Sequence, residues 1–287
     1  MVCRVLRHSG YSRDSDSNDM ISLEQLQSGI VLSIDKPRQW SSFQAVNKIK
    51  AVVRNTYGLK KFKIGHAGTL DPLASGLLLV CVGKATKSIP ILQDGDKEYT
   101  GTMVLGATTP CYDLEREIDR YYPYEHITAE LLEQTRRKFE GEIMQVPPMF
   151  SAVKIDGQRA YEYAREDNPD VTIKPKPVKV YSFEITNFRP GTEIIGTPPI
   201  PNQERTKEGA TLNLYKNPLG TVPEHLPQVD FRIRCGKGTY IRSLARDFGQ
   251  ELGSGAFLAT LRRTRIGDYS IEDAVEPQDV EKILIGK

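Results

Sequence analysis

The stretch Gly65–Gly83 reads GHAGTLDPLASGLLLVCVG and combines two patterns that decide the fold around it. Residues 77–83 form a short apolar run bounded by glycines, which predicts a buried β-strand. Just before this run, paired glycines allow a tight backbone path into Asp71, and Pro72 stiffens the exit. The pattern therefore predicts a carboxylate on a turn that leads into a buried strand. An Asx turn that merely joins two elements explains these residues equally well when they are taken alone.

Basic residues crowd the sequence on both sides of this turn. Residues 36–93 contain ten lysines and arginines but a single carboxylate, that of Asp71. Such a stretch is either a solvated basic face or a surface that binds a polyanion, with one acid placed within it. The whole chain carries a net charge of only +2, so the excess of positive charge is local. Charge alone favours the solvated face.

Composition argues against several classes of protein. The 287 residues are 39% hydrophobic and 26% charged, which is typical of a globular chain, and no apolar run is long enough for a membrane span. The first ten residues lack the apolar core of a secretion signal. Four cysteines and four histidines are scattered, which argues against a disulfide framework or a metal site and favours the reducing cytoplasm. No dinucleotide fingerprint or P-loop occurs in the sequence, so no motif indicates a nucleotide cofactor.

Strand and helix patterns follow one another irregularly along the rest of the chain. Residues 229–235 (VDFRIRC) alternate between apolar and polar, which predicts a strand with one buried face. Helical spacing follows the cap residues Ser41 and Thr128, and a third helix is expected from Thr239 to Gly253. Because the order is not βαβα, we expect an α+β fold with a mixed, mostly antiparallel central sheet and flanking helices. Strands are expected at 29–35, 77–83, 98–105, 178–185 and 229–235.

The turn at Asp71 resembles the motif around the catalytic aspartate of the TruB family of tRNA pseudouridine synthases, G-H-x-G-x-L-D-P-x-A-x-G. Further motifs of that family occur in the same order along the chain. They are similar to Gly29–Ser42 (GIVLSIDKPRQWSS), Cys81–Lys87 (CVGKATK), Lys97–Gly106 (KEYTGTMVLG), Gly141–Arg165 and Arg234–Gly255. The residues at Gln39, Cys111, Arg116 and Phe150 depart from the family pattern, and none belongs to the catalytic set that the resemblance implies.

The resemblance implies an isomerase with a pseudouridine synthase fold, which converts uridine 55 (tRNA numbering) in the T-loop of tRNA to pseudouridine without a cofactor. The target base would leave the RNA stack to reach the site. The T-arm stem-loop would suffice as a partner, and the protein would act as a monomer in the cytoplasm with no protein partner. A tRNA-binding or folding module with dispensable catalysis stays open, because it would use the same basic surface. A guide-RNA-directed synthase is disfavoured, because 17 residues after Ser270 are too few for the PUA domain that such proteins need.

The resemblance also implies roles for individual residues. Asp71 would act as a nucleophile or remove a ribose proton, and Arg242 would pair with its carboxylate. Tyr99 would stack on the target base, and its hydroxyl could assist removal of the proton from C5. Substrate-binding roles are implied for five more residues: His66 in the opened RNA loop, Tyr240 and Leu261 against the uracil, and Lys36 and Lys87 as supports of the catalytic loop or as phosphate contacts.

Four segments are expected along the chain. They are a disordered arm at 1–28, a catalytic domain at 29–275, a proline-rich insertion within it at about 189–228, and a short tail at 276–287 with no PUA domain. Near the end of the catalytic domain lie Arg262, Arg263 and Arg265, which we expect either to contact the RNA backbone or to serve as solubility charges.

Overall fold

The structure is a computed structural model that describes residues 4–6, 20–151, 154–155, 158–159, 173–191 and 222–286. The chain divides into two compact units. Unit 1 is drawn from Met1–Tyr99 and Arg262–Lys287, and unit 2 is Thr100–Leu261. Both ends of the chain therefore contribute to unit 1.

The strands of unit 1 are β1 (Arg4–Leu6), β2 (Ile30–Lys36), β3 (Ile64–His66), β4 (Ser75–Val82), the last part of β13 (Ala256–Ile266) and β14 (Tyr269–Ser270). β4 pairs antiparallel with β2 and β3, and it pairs in parallel with β13. β1 runs parallel to β2. All side chains from Leu77 to Val82 are fully buried, and alternate residues join two different apolar clusters. Burial on both faces explains why β4 is continuously apolar.

Helices cover one of these clusters. The helices of unit 1 are α1 (Leu23–Ser28), α2 (Ser42–Tyr57), α3 (Ile89–Asp94) and α6 (Val280–Ile285), with short 3₁₀ helices at Gly83–Ser88 and Ile271–Asp273. α2 starts with a capping box in which Ser41 accepts from the backbone N–H of Gln44 and Gln44 accepts in return. Its buried residues Ala45, Ile49 and Val53 join the cluster that contains alternate residues of β4, so α2 is fixed to the sheet by its apolar stripe.

Unit 2 contains the main part of β5 (Lys97–Leu105), followed by β6 (Ala107–Thr108), β7 (Arg120–Tyr121), α4 (Ala129–Arg137), β8 (Gly141–Gln145), β9 (Lys154–Ile155), β10 (Gln158–Arg159), β11 (Lys176–Arg189), β12 (Gln228–Cys235) and α5 (Ile241–Glu251). Its sheet has the order β5-β12-β11-β8, and β11 pairs antiparallel with both neighbours. The ring of Phe248 on α5 lies 5.1 Å from that of Phe183 and 5.7 Å from that of Phe139. These aromatic contacts fix α5 on the sheet.

The predicted fold class is confirmed: the protein is mixed, its strands pair mostly antiparallel, and helices flank them. In β12, Val229, Phe231, Ile233 and Cys235 are buried, as the alternation predicts. The third helix starts at Ile241 rather than at Thr239, because the Thr239 hydroxyl donates to the carbonyl of Gly236 and caps no helix N–H.

The predicted segments are covered to different extents. β11 ends and β12 begins at the two limits of the predicted insertion, whose residues 192–221 lie outside the described residues. Residues 1–28 include β1 and α1, and the arm prediction missed the Ser22–Gln25 capping box that starts α1. Within the described ranges, no helix is both long and apolar enough to cross a membrane.

Candidate active site

Asp71 lies on the loop that joins β3 to β4, here called the Asp71 loop (residues 67–74). Its carbonyl accepts a hydrogen bond from the N–H of Ala74 (3.1 Å), which closes a tight turn. Gly76, the second residue of β4, has a φ of +102°, which favours glycine, and a Cβ there would lie 2.3 Å from the carbonyl oxygen of Arg263. A glycine is therefore required where the loop enters the sheet.

A buried arginine holds the first half of the Asp71 loop. Arg263 on β13 is 1% exposed, and its guanidinium donates to the carbonyls of Leu77 (2.8 Å), Gly68 (3.1 Å) and Thr69 (3.5 Å). The expectation of an RNA contact or a solubility charge at Arg263 is wrong, because the side chain is enclosed and its donors point at the backbone of the loop. The planar fork of arginine suits such multiple contacts.

A buried lysine holds the second half of the loop. Lys36 at the end of β2 has no accessible surface, and its ammonium donates to the carbonyls of Trp40 (2.6 Å), Pro37 (2.9 Å) and Pro72 (3.4 Å). Of the two roles left open for Lys36, this burial favours support of the loop over contact with phosphate. The carbonyl of Pro72, which follows Asp71, is thus bonded to the buried ammonium of Lys36. The carbonyls of Gly68 and Thr69, which precede Asp71, are bonded to the buried guanidinium of Arg263.

Charge links Lys36 to Asp71 directly. Burial lowers the pKa of the Lys36 ammonium from 10.5 to about 8, because water no longer solvates the charged form. The carboxylate of Asp71 opposes this shift, while the guanidinium of Arg263 adds to it. The Asp71 carboxylate therefore lies within electrostatic reach of Lys36, one of the two cations that hold its loop.

A serine completes the support. Ser42 is buried at the start of α2, and its hydroxyl accepts from the N–H of Leu70 (2.9 Å) and lies 3.1 Å from the carbonyl of the same residue. Leu70 immediately precedes Asp71. The backbone on both sides of the carboxylate is consequently fixed by side chains from β2, α2 and β13, an arrangement that holds the loop in a defined position.

The other predicted residues of unit 1 lie in different surroundings. His66 ends β3 and is half-buried, and burial lowers the pKa of its imidazole below the usual 6.5, so the ring is neutral at pH 7. Tyr99 on β5 is 8% exposed. Lys87 is exposed on the 3₁₀ helix Gly83–Ser88.

In unit 2, Arg242 lies in the first turn of α5 and is buried. Its guanidinium donates to the carbonyls of Phe150 (2.8 Å) and Cys111 (3.2 Å), and its Nε lies 3.8 Å from Oδ2 of the buried Asp113. Oδ1 of Asp113 accepts from the Cys111 thiol (3.0 Å) and from the N–H of Glu115 (3.0 Å). These contacts hold the arginine in one orientation.

The wall residues of the predicted uracil pocket also lie in unit 2. Tyr240 precedes α5, and its backbone N–H and carbonyl both bond to the side chain of the buried Gln145, at 2.8 Å and 3.1 Å. Leu261 on β13 is half-buried. The structure thus brings Asp71 and Lys36 together in one unit and places Arg242, Tyr240 and Leu261 in the other, and the pairing of Arg242 with Asp71 stays a prediction.

The sequence analysis did not predict the supporting roles of two residues, Asp113 and Arg263. Asp113 has no distinctive local pattern, although its place two residues after the atypical Cys111 marks the segment. Arg263 looks like one member of a basic run. Among the described residues, no group of three or more His, Cys, Asp or Glu side chains could hold a metal ion. The absence of a cofactor remains an expectation.

Two family models match the chain. A model described as TruB family pseudouridylate synthase (N-terminal domain) matches residues 54–195, and one described as tRNA pseudouridylate synthase B C-terminal domain matches residues 242–286. The first match contains Asp71, and the second begins at Arg242. Together they define the class of the protein: it is a pseudouridine synthase, and therefore an isomerase.

Relatives identify the family. The chain is 49% identical over 254 residues to tRNA pseudouridine synthase B of Flavobacterium johnsoniae, covering 88% of this chain and 95% of the relative. It is 43% identical over 265 residues to tRNA pseudouridine synthase B of Phocaeicola vulgatus, covering 89% and 97%. The chain belongs to the TruB family, whose activity is pseudouridylation of tRNA.

Solved structures share the fold. The chain is similar to the crystal structure of a Cbf5-Nop10-Gar1 complex, with a TM-score of 0.59 and 26% identity over 96% of this chain. It spans 61% of that structure's chain. A second likeness, to the archaeal box H/ACA sRNP Nop10-Cbf5 complex, has a TM-score of 0.56, 24% identity and 98% coverage of this chain. This second likeness shows the fold alone.

Proposed function

We propose that this protein isomerises uridine 55 in the T-loop of tRNA, using the carboxylate of Asp71 as its reactive group. The observation that carries the proposal is the fixed Asp71 loop, whose backbone is bonded to buried Lys36 and Arg263 on either side of the carboxylate. Burying two cations against one loop costs free energy of desolvation. We take this cost as a sign that the position of the loop matters to the protein's function. The protein acts on bare tRNA as a cytoplasmic monomer, without a protein partner or cofactor.

The reaction needs a charged carboxylate but no redox chemistry. The N1–C1′ bond of the uridine breaks, the uracil turns, and a C5–C1′ bond forms, while C5 loses a proton and N1 gains one. Asp71 either attacks the substrate as a nucleophile or removes a ribose proton to give a glycal. In both routes the paired guanidinium of Arg242 keeps the carboxylate ionised when RNA excludes water from the site.

The target base reaches Asp71 by leaving the RNA stack, which costs a few kcal/mol. Stacking on an aromatic ring recovers roughly 1–3 kcal/mol, and Tyr99 supplies that ring. Tyr240 and Leu261 flank the uracil. His66, at the start of the Asp71 loop and neutral at pH 7, fills the space that the base vacates, because a neutral ring inserts between bases with little desolvation cost. Lys87 contacts a phosphate.

The test is the variant Asp71→Asn, assayed on a T-arm transcript of roughly 17 nucleotides. This transcript forms a single stem-loop, which should suffice as substrate for an enzyme that recognises the shape of the folded loop. Pseudouridine is mapped by carbodiimide modification and primer extension. We expect the wild type to modify one position and Asp71→Asn to form no product, while its Kd for the transcript stays within about threefold, since binding rests on many phosphate contacts. A transcript with cytidine at position 55 is the substrate control.

One result would contradict the role of Asp71, a second would make catalysis dispensable in the cell, and a third would show that the protein does not act alone. Pseudouridine formation by Asp71→Asn at the wild-type rate would remove the aspartate from the mechanism. If Asp71→Asn lacks activity but complements a deletion strain fully, catalysis is dispensable in the cell and the protein serves as a tRNA-folding module. A requirement for a guide RNA or a further protein, seen as inactivity of the purified chain on bare tRNA, would overturn the proposal that it acts alone.

A further inference from the structure

Unit 1 has a cavity of about 370 Å³, here called the lysine groove, and Asp71 is not among its lining residues. It lies between the end of α1, the segment that follows α2, and the 3₁₀ helix Gly83–Ser88. Its lining consists of Gln27, Leu59, Lys61, Phe62, Lys63, Gly83, Lys84, Thr86 and Lys87. The volume falls within the range of small-ligand sites, roughly 300–1,000 Å³.

The rim of the groove is positively charged and uncompensated. Lys61, Lys63, Lys84 and Lys87 are all exposed, and none of them forms an ion pair with another residue in the described ranges. Among the residues that the structure describes, no carboxylate lines the groove. Like charges gathered around one cavity repel each other, so this cluster lowers stability unless an anion neutralises it. The charge of the groove is therefore complementary to a polyanion.

The floor of the groove is apolar and recessed. Leu59 and Phe62 are half-buried and pack against the core cluster beneath α2, and their outer edges line the cavity. Gly83 forms part of the wall, with a φ of +65°, and a Cβ there would lie 2.4 Å from the carbonyl oxygen of Leu26. The glycine allows the 3₁₀ helix to approach α1 closely, so the shape of the groove is built into the backbone.

We propose that the lysine groove binds one nucleotide of the RNA substrate outside the target loop. Its base or ribose rests on Leu59 and Phe62, and its flanking phosphates contact the rim lysines. This inference rests on the proposed function for the identity of the RNA, and it adds a second contact region to the one at Asp71. Aromatic and apolar surface beneath a charged rim is the pattern by which proteins hold unpaired nucleotides.

The alternative polyanion, an anionic membrane surface, fits the groove less well. Membrane-binding faces present protruding apolar side chains that enter the headgroup region. The exposed large hydrophobic residues of the described chain are Met20, Leu23, Phe43, Ile91, Met144 and Tyr181, and none of them lines the groove. Leu59 and Phe62 are half-buried whereas the four lysines are exposed, so the apolar surface of the groove does not protrude as that of a membrane-binding face does.

The experiment compares two double variants of equal charge. Lys61→Gln/Lys84→Gln removes two rim ammonium groups, and Lys48→Gln/Lys50→Gln removes two exposed ammonium groups on α2 that do not line the groove. The Kd for a full tRNA transcript is measured from 50 to 300 mM KCl. We expect the groove variant to reduce the slope of log Kd against log [KCl] by about 1.4–1.8 and to weaken binding roughly tenfold at the lowest salt. The control pair should leave both quantities unchanged.

Interference mapping then locates the contacts. Ethylation of individual phosphates should block the wild type at one or two positions outside the T-loop that no longer matter to the groove variant. Equal slopes for wild type and groove variant would overturn the proposal, and so would equal losses in both double variants. Groove-dependent binding to phosphatidylserine vesicles with unchanged RNA binding would also overturn it, in favour of a membrane.

The assay separates this proposal from the proposed function. A wild type that forms pseudouridine while both double variants bind tRNA like wild type refutes the groove alone. A wild type that binds tRNA through the groove but forms no pseudouridine refutes the proposed function alone. Thermal unfolding verifies that both double variants fold: we expect the control pair at the wild-type Tm, and the groove variant at or slightly above it because two repelling charges are removed.

Discussion

Replacing Arg263 with methionine tests whether the position of the Asp71 loop limits the rate. The guanidinium makes two hydrogen bonds of good length, to Leu77 (2.8 Å) and Gly68 (3.1 Å), and a longer one to Thr69 (3.5 Å). Bonds that involve a charged group contribute about 1.5–3 kcal/mol each. Methionine fills much of the same space but leaves these carbonyls without a donor.

The net loss is smaller than the sum of the bonds. Burying a guanidinium costs several kcal/mol in the wild type, and Arg263→Met does not have this desolvation penalty. We therefore expect the free energy of unfolding to fall by about 2–4 kcal/mol, which lowers Tm by roughly 5–15 °C. A displacement of about 1 Å at a reacting group can cost on the order of 100-fold in rate, so kcat should fall by about 10- to 100-fold.

The assay is single-turnover pseudouridine formation at saturating enzyme, together with the Kd for the T-arm transcript and Tm. Because Arg263 is enclosed and cannot touch RNA, the Kd should change less than threefold while kcat falls. The kcat of Arg263→Lys should lie between those of the wild type and Arg263→Met, because an ammonium keeps the positive charge but lacks the planar fork of donors. Arg265→Met is the matched control: this arginine is exposed on the same strand, and within the described ranges its side chain bonds only to the carbonyl of Gly267. A wild-type kcat in Arg263→Met, or an equal loss in Arg265→Met, would refute the reasoning.

Two further predictions concern the other buried charges. The pKa of Lys36 is lowered by burial to about 8, so between pH 8 and 10.5 the unfolded chain binds more protons at this residue than the folded one. The free energy of unfolding of the wild type, relative to that of Lys36→Met, should accordingly rise by about 3 kcal/mol in total over that pH window. If chemical denaturation shows that this difference does not change with pH, the prediction is contradicted. Asp113→Asn should slow pseudouridine formation more than tenfold with little change in RNA affinity, because Asp113 orients Arg242 rather than contacting RNA; a loss confined to Kd would count against it.

Local patterns predicted the elements that hold the site. The apolar run at 77–83 corresponds to a strand that is buried on both faces, and the alternation at 229–235 corresponds to a strand that is buried on one face. Both were predictable because the number of buried faces determines whether apolar residues are continuous or alternate along a strand. The turn at Asp71 followed from its glycines and proline. The resemblance to a family then selected the active-site interpretation, which the local residues left undecided.

The supports of the Asp71 loop could not be predicted in the same way. Arg263 is 195 residues from Gly68, and only the pairing of β13 with β4 brings them together. From sequence alone, a buried arginine and a solvent-exposed one look alike within a basic run. Asp113 presents the same difficulty, since its neighbour Arg242 lies on α5, far along the chain. Lys36 was ambiguous because a lysine can bind phosphate or carbonyls, and burial decides between them.

The dependence of residue 68 on residue 263 has a consequence for how the enzyme comes into being. During synthesis the Asp71 loop leaves the ribosome long before β13 exists, so a nascent chain carries the reactive carboxylate without its arginine support. Contacts so distant in sequence form late and slowly. If Asp71 acts as proposed, we expect a growing or prematurely terminated polypeptide to modify RNA poorly, and full activity to require that the final segment has been translated and has paired with the beginning of the chain.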